Sequence, residues 1–141
     1  MNSEIAIEEV LEKEGVYVGT TSGHSMLPLF RDRRDTVIIK CVKNPLKKYD
    51  VVLYRSNGCY VLHRILGKNE NGYIIRGDNC IDYEYSITDS DIIGVLCDFY
   101  RNDKHYSVTD KSYKVYSVLR CEMNKVISIL RKIKRKLKEK A

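Results

Sequence analysis

The chain has no tryptophan, two prolines and two phenylalanines. No stretch approaches the ~18 consecutive apolar residues of a membrane-spanning helix. The opening residues, MNSEIAIEEVLEKEG, are acidic and hold no apolar secretory core. These absences argue against a secretory signal and a membrane span, and they set the expectation of a cytoplasmic protein. The five cysteines (Cys41, Cys59, Cys80, Cys97, Cys121) are odd in number and show neither a C-x-x-C pair nor a zinc-type His/Cys spacing. Reduced thiols are expected, with no metal and no cofactor. Cys80 falls near the site argued below, but its expected role is that of a small buried hydrophobe.

What remains is globular: 141 residues, 43% apolar and 31% charged, with 11 tyrosines. One domain, residues 1–141, with one sizeable core is expected. The net charge of +6 is unevenly placed. Residues 131–141, RKIKRKLKEKA, hold seven Lys/Arg against the single acid Glu139, so the rest of the chain is neutral.

Residues 3–14 read as a short helix with Ser3 as N-cap, Ile5, Val10 and Leu11 on one face, and Gly15 as its stop. Val16–Val18 reads as a short extended piece. Between Thr36 and Val108 the pattern is strand-like: TVIIKCV, YDVVLYR, CYVLHRIL, YIIRG, DIIGVLCDFYR and KHYSV, with turns at Asn44–Pro45, Ser56–Gly58, KNENG and Asn102–Asp103. The fold class is therefore mainly β, with residues 16–108 forming an irregular or barrel-like body. From about Asp110 the period changes. Val115, Val118, Leu119, Val126, Ile127, Leu130, Ile133 and Leu137 recur at helical steps, predicting an amphipathic basic helix over 110–141.

Three readings compete for that helix: its apolar face packs on the β body, it lies on an anionic membrane, or it binds nucleic acid. The third is weakest, because no aromatics interleave the charges, and no nucleic-acid partner is expected. Packing of residues 113–130 is expected, with the last residues exposed for peripheral membrane contact through 131–141 or for an acidic partner.

The chemistry-bearing stretch is TSGHSMLPLF, Thr21–Phe30. Gly23 permits backbone angles denied to other residues, and Pro28 fixes the chain three residues after Ser25. A serine held in such a turn can present a hydroxyl nucleophile and its own N–H to a carbonyl. Local hydrogen bonding is the bland alternative. Of the three histidines, His24 adjoins the serine, His105 sits near a hairpin turn, and His63 lies in an apolar strand where its ring would be fixed. The loop RGDNCIDYEYS, Arg76–Ser86, supplies Asp78, Asp82 and Glu84 as candidate acids to orient an imidazole.

Taken in order, SGHSMLP (Ser22–Pro28), YDVVLY (Tyr49–Tyr54), VLHRIL (Val61–Leu66) and RGDN (Arg76–Asn79) resemble the boxes of the signal peptidase I and self-cleaving repressor superfamily of serine peptidases. DRRDTVIIK, with Asp35, resembles a further box of that superfamily. The resemblance covers about residues 20–98. It implies a coiled antiparallel β fold, Ser25 as nucleophile and His63 as base in the Ser–His branch, Asp78 as the acid, and Asp82 or Glu84 as a second acid. It also implies a peptide or protein substrate bound as an added strand. Gly23, His24, Met26 and Pro28 match the oxyanion and substrate-binding segment. Gly23 has no side chain to donate to an oxyanion, so another backbone N–H or the His24 ring would take that place.

Signal peptidases of this family carry an N-terminal anchor, for which this sequence shows no segment. Self-cleaving repressors carry an Ala-Gly or Cys-Gly scissile pair ahead of the serine, and residues 1–21 hold neither. The expectation is a serine endopeptidase without an anchor that processes a leader or precursor peptide. The alternatives are a non-catalytic peptide-binding module of the same fold and a membrane-surface scaffold acting through the tail. A direct Ser25 Oγ–His63 hydrogen bond of roughly 2.6–3.2 Å, or looser, is expected, with an acid from 78–84 on the other ring nitrogen.

Overall fold

The computed structural model describes residues 5–140. A short helix α1 (Ile7–Glu14) ends at Gly15, which takes a left-handed conformation and donates its N–H to the Leu11 carbonyl. Leu11 is the buried residue of α1, whereas Ile5 is exposed. The expected cap at Ser3 lies outside the described residues. Eight strands follow: β1 (Val16–Thr20), β2 (Asp35–Lys40), β3 (Val51–Ser56), β4 (Cys59–Asn69), β5 (Gly72–Arg76), β6 (Glu84–Ile87), β7 (Ile92–Arg101) and β8 (Lys104–Ser107). The chain closes with the long helix α2 (Lys111–Lys140).

The strands form one antiparallel sheet in the order β1-β2-β7-β3-β4-β5-β6, with β8 paired to β7. Among the described residues the fold is thus mainly β with two α-helices, as its alternation of strand runs and turns predicts. The expected hairpin turns join β3 to β4 at Asn57–Gly58, β4 to β5 at Glu70–Asn71 and β7 to β8 at Asn102–Asp103. Strand β6, which overlaps the end of the Arg76–Ser86 loop, was not foreseen.

Strand β3 reads as a continuous apolar run because both of its faces are covered. Val51 and Leu53 join a core with Met26, Phe30, Val37, Ile39 and Phe99. Val52 and Tyr54 join a second core with Ile65, Tyr73 and Ile75.

Strand β4 has the same two-sidedness, with chemical consequences. Successive strand residues point to opposite faces. His63 pairs with Val52 and sits diagonally from Tyr54 on one face, while its neighbour Arg64 points to the other.

α2 departs from expectation. It packs on the body with Tyr113, Ser117, Cys121, Asn124 and Ser128, a largely polar face. Val115, Val118, Leu119, Val126 and Leu130, which fall in the stretch expected to pack, are exposed, and Ile127 is half-buried; Ile133 and Leu137, beyond that stretch, are exposed too. The reason lies beneath the helix. The body presents the buried cations Arg64 and Arg76 there, and these need hydrogen-bond acceptors rather than hydrocarbon. Arg64 binds Ser117 Oγ at 2.8 Å, and Arg76 binds Ser128 Oγ at 3.2 Å.

Candidate functional site

The loop between β1 and β2 carries Ser25. It is shaped by buried Asp35, whose carboxylate accepts from the Arg31 N–H at 2.7 Å and from the Arg34 guanidinium. Asp35 is therefore the anchor of the serine loop. Thr21 closes the loop base through its hydroxyl to the Arg31 carbonyl, and Arg101 holds the Leu29 carbonyl at 2.7 Å. Gly23 adopts the left-handed backbone expected of it, with φ of 82°. Its N–H, however, donates to Asp32 Oδ1 at 2.8 Å, which turns it away from an oxyanion role. Met26 is buried and holds the loop to the core, while Pro28 and His24 are exposed. Among the described residues the Ser25 and Met26 N–H groups have no partner.

The Gly77–Asp78–Asn79 segment docks against this loop, and each of its residues does something different. Asn79 donates its N–H to the Ser25 carbonyl at 2.8 Å and its side-chain amide to the His24 carbonyl at 3.0 Å. The Asp78 N–H meets Met26 Sδ. Gly77 is required by closeness. A Cβ there would lie 2.6 Å from the Ser25 carbonyl oxygen, 2.8 Å from Cys80 Sγ and 2.9 Å from His63 Nε2. Those three groups therefore surround one point, and His63 Nε2 faces the serine loop.

Asp78 does not orient His63. Its carboxylate makes a two-pronged bond to Arg64, at 2.8 and 2.9 Å, and accepts from Tyr116 Oη at 3.0 Å. Its carbonyl accepts from Asn124 and Arg120 of α2. The physical reason is the alternation along β4: Asp78 lies on the Arg64 side. Burial alone would lower the Arg64 guanidinium, but the Asp78 bonds outweigh it and hold the cation charged. Burial chiefly, then Asp78, pushes the Tyr116 phenol upward.

The His63 ring is instead served by Tyr54 and Glu84. Tyr54 Oη lies 3.1 Å from Nδ1 and 2.8 Å from Glu84 Oε2, and Glu84 Oε1 is 3.6 Å from Nδ1. A phenol has one proton. Given to the Glu84 carboxylate, it leaves the Tyr54 oxygen to accept from Nδ1–H. Nδ1 then carries the ring proton, and Nε2 keeps a lone pair toward the serine loop. Burial, then the bond to Glu84, pushes the Tyr54 phenol well above its ordinary range. Burial lowers His63 below its ordinary 6.5, against an upward pull from Glu84 and Asp78. A neutral imidazole at neutral pH follows.

Of the two candidate second acids, Glu84 thus reaches the ring, whereas Asp82 is exposed and apart from it. The expected direct Ser25 Oγ–His63 bond is not formed among the described residues. The two residues do line one cavity of about 470 Å³, together with Met26, Phe30, Val37 and Leu53 and with Ile7 of α1.

His105 pairs with Asp98 on the surface, away from this cavity. Burial raises the Cys80 thiol, leaving it a weak nucleophile. Among the described residues no group of three or more His, Cys, Asp and Glu could hold a metal ion, and the five cysteines are free. No protein-family model matches the chain, and no curated protein sequence matches it.

Sequence reasoning missed Tyr54, which reads as one more apolar residue of β3, and Gly77, whose need appears only once two loops meet. It also missed Arg64: strand alternation turns it away from His63, but nothing in VLHRIL shows that it is buried there against Asp78.

Proposed function

We propose that the chain is a serine endopeptidase of signal-peptidase-like type, in which Ser25 is the nucleophile and His63 the base. The observation that carries this reading is a shared cavity: Ser25 and His63 line it together, with Nε2 toward the serine loop and Nδ1 tied to Tyr54 and Glu84.

In the acylation step His63 Nε2 takes the Ser25 Oγ proton as the oxygen adds to a peptide carbonyl. The oxyanion accepts from the Ser25 N–H, with the Met26 N–H as a second donor in place of the engaged Gly23. His63 then gives its proton to the leaving amine, the C–N bond breaks, and a water activated by the same ring hydrolyses the acyl-enzyme. The transient imidazolium is offset by Glu84, acting through Tyr54. The apolar cavity walls suit a small or aliphatic side chain beside the cleaved bond. The working place that fits is the cytoplasm or its membrane face, and a leader or precursor peptide is the substrate class.

A second reading, a peptide-binding module without turnover, is favoured by the missing Ser25–His63 bond. Incubation with a mixed peptide library, read by mass spectrometry, separates the two. The peptidase reading predicts cleavage products that vanish in Ser25→Ala and His63→Ala. Peptides retained by the protein but left uncut would contradict it and support the binder.

A further inference from the structure

α2 is inverted relative to an ordinary surface helix. Its small and polar residues face the body, and its aliphatic residues face outward. Val115, Leu119, Val126, Leu130, Ile133 and Leu137 are each at least half exposed. At ~100° per residue they form one stripe, opposite the face of Tyr113, Ser117, Asn124 and Ser128. From Val115 to Leu137 the stripe runs for about 33 Å at ~1.5 Å per residue. Beyond Ser128 every described residue of the helix is exposed, so its basic end stands clear of the body.

Charge decides what fits this stripe. Residues 131–140 hold seven Lys/Arg and one acid, and the remainder of the chain is neutral. Lys134 and Lys136 fall on the two flanks of the stripe, with Lys132 and Lys138 beyond them. A second copy laid parallel would set two such basic ends side by side. Laid antiparallel, it would set the basic end against the start of α2, where Lys111 and Lys114 are balanced by Asp110 and Glu122 and Arg120 is turned to the body. Like charges meet in the first arrangement, and neither arrangement supplies the net negative surface that seven cations would match. An anionic lipid surface instead receives the aliphatic stripe in its acyl boundary and the flanking cations among its headgroups. No helix among the described residues is long and apolar enough to cross a membrane, so α2 would lie along the surface.

We infer that the outward face of α2, from Val115 to Leu137, is a docking surface for an anionic bilayer. This contact is independent of the Ser25 chemistry, so a Ser25→Ala protein should dock unchanged.

The test is co-sedimentation of the full chain with phosphatidylcholine vesicles, with and without phosphatidylglycerol. The expected result is binding that requires phosphatidylglycerol, weakens with added salt, and falls at least about tenfold in a Leu130→Asp, Ile133→Asp double variant. Both residues are exposed, so the body should keep its fold, checked by circular dichroism. Three results would overturn the inference: wild-type protein staying in the supernatant at low salt, full binding by the double variant, or a stable dimer in light scattering that the double variant dissolves. The last would assign the stripe to a second copy.

Discussion

Tyr54 Oη lies 3.1 Å from His63 Nδ1, on the ring edge away from Ser25, and its O–H donates to Glu84 Oε2 at 2.8 Å. A tyrosine thus stands where a carboxylate would be expected, with the carboxylate one hydrogen bond further out. Tyr54→Phe removes the acceptor for Nδ1–H and frees the ring to take the wrong tautomer. Turnover in this variant should fall on the order of 10²-fold with KM little changed. Steady-state kinetics on any cleaved peptide checks it; a rate equal to wild type would remove Tyr54 from the site.

The acid limb of the rate profile follows from the His63 environment. Burial lowers the ring below 6.5, so the active neutral form persists below that pH and the limb should lie on its acid side. Glu84 pulls the ring upward, so Glu84→Gln should shift the limb to still lower pH while reducing the plateau rate. The same sign governs stability. With the folded value below the unfolded one, the neutral ring's contribution is present above about 6.5 and is lost as pH falls through the folded value. A kcat/KM profile of the two proteins reads the shift; a limb moving upward in Glu84→Gln would contradict it.

Gly77 should tolerate no side chain. A Cβ at 2.6 Å from the Ser25 carbonyl and 2.9 Å from His63 Nε2 must push the serine loop and the ring apart. Gly77→Ala is expected to lose most activity while the Arg64–Asp78 side of the fold persists. Activity per folded molecule, with circular dichroism as control, measures this; a fully active Gly77→Ala would refute the close approach.

Asp78 should behave as a structural residue. Its partner Arg64 is fully buried, and leaving that cation unpaired costs about 3–5 kcal/mol. Asp78→Ala is therefore expected to lower the unfolding midpoint sharply and to loosen the first half of α2, where Tyr116 bonds to the lost carboxylate and Ser117 to its partner Arg64, while the backbone carbonyl of residue 78 keeps its bonds to Arg120 and Asn124. Thermal unfolding beside that of Glu84→Gln separates the roles. Equal stability of the two variants would mean that Asp78 is not the keystone of α2.

The strands were legible because each apolar run ends in its own turn signal, as CYVLHRIL does between Gly58 and KNENG. The meeting of Ser25 and His63 at one cavity was legible from the order of their boxes. The acid was not, since Asp78, Asp82 and Glu84 share one loop and only the sidedness of β4 decides which of them meets Arg64 and which meets the ring. The facing of α2 was hidden for a related reason. Periodicity locates an aliphatic stripe but is blind to the buried arginines that claim the opposite face.

The pairing of Ser25 with His63 is tested most directly by a fluorophosphonate probe, with the adduct mapped by mass spectrometry. The account predicts a phosphonate on Ser25 of the wild-type protein, none in Ser25→Ala, and a strongly slowed reaction in a folded His63→Ala. A folded wild-type protein that takes no label, or one labelled at Ser25 as fast without His63 as with it, would contradict it.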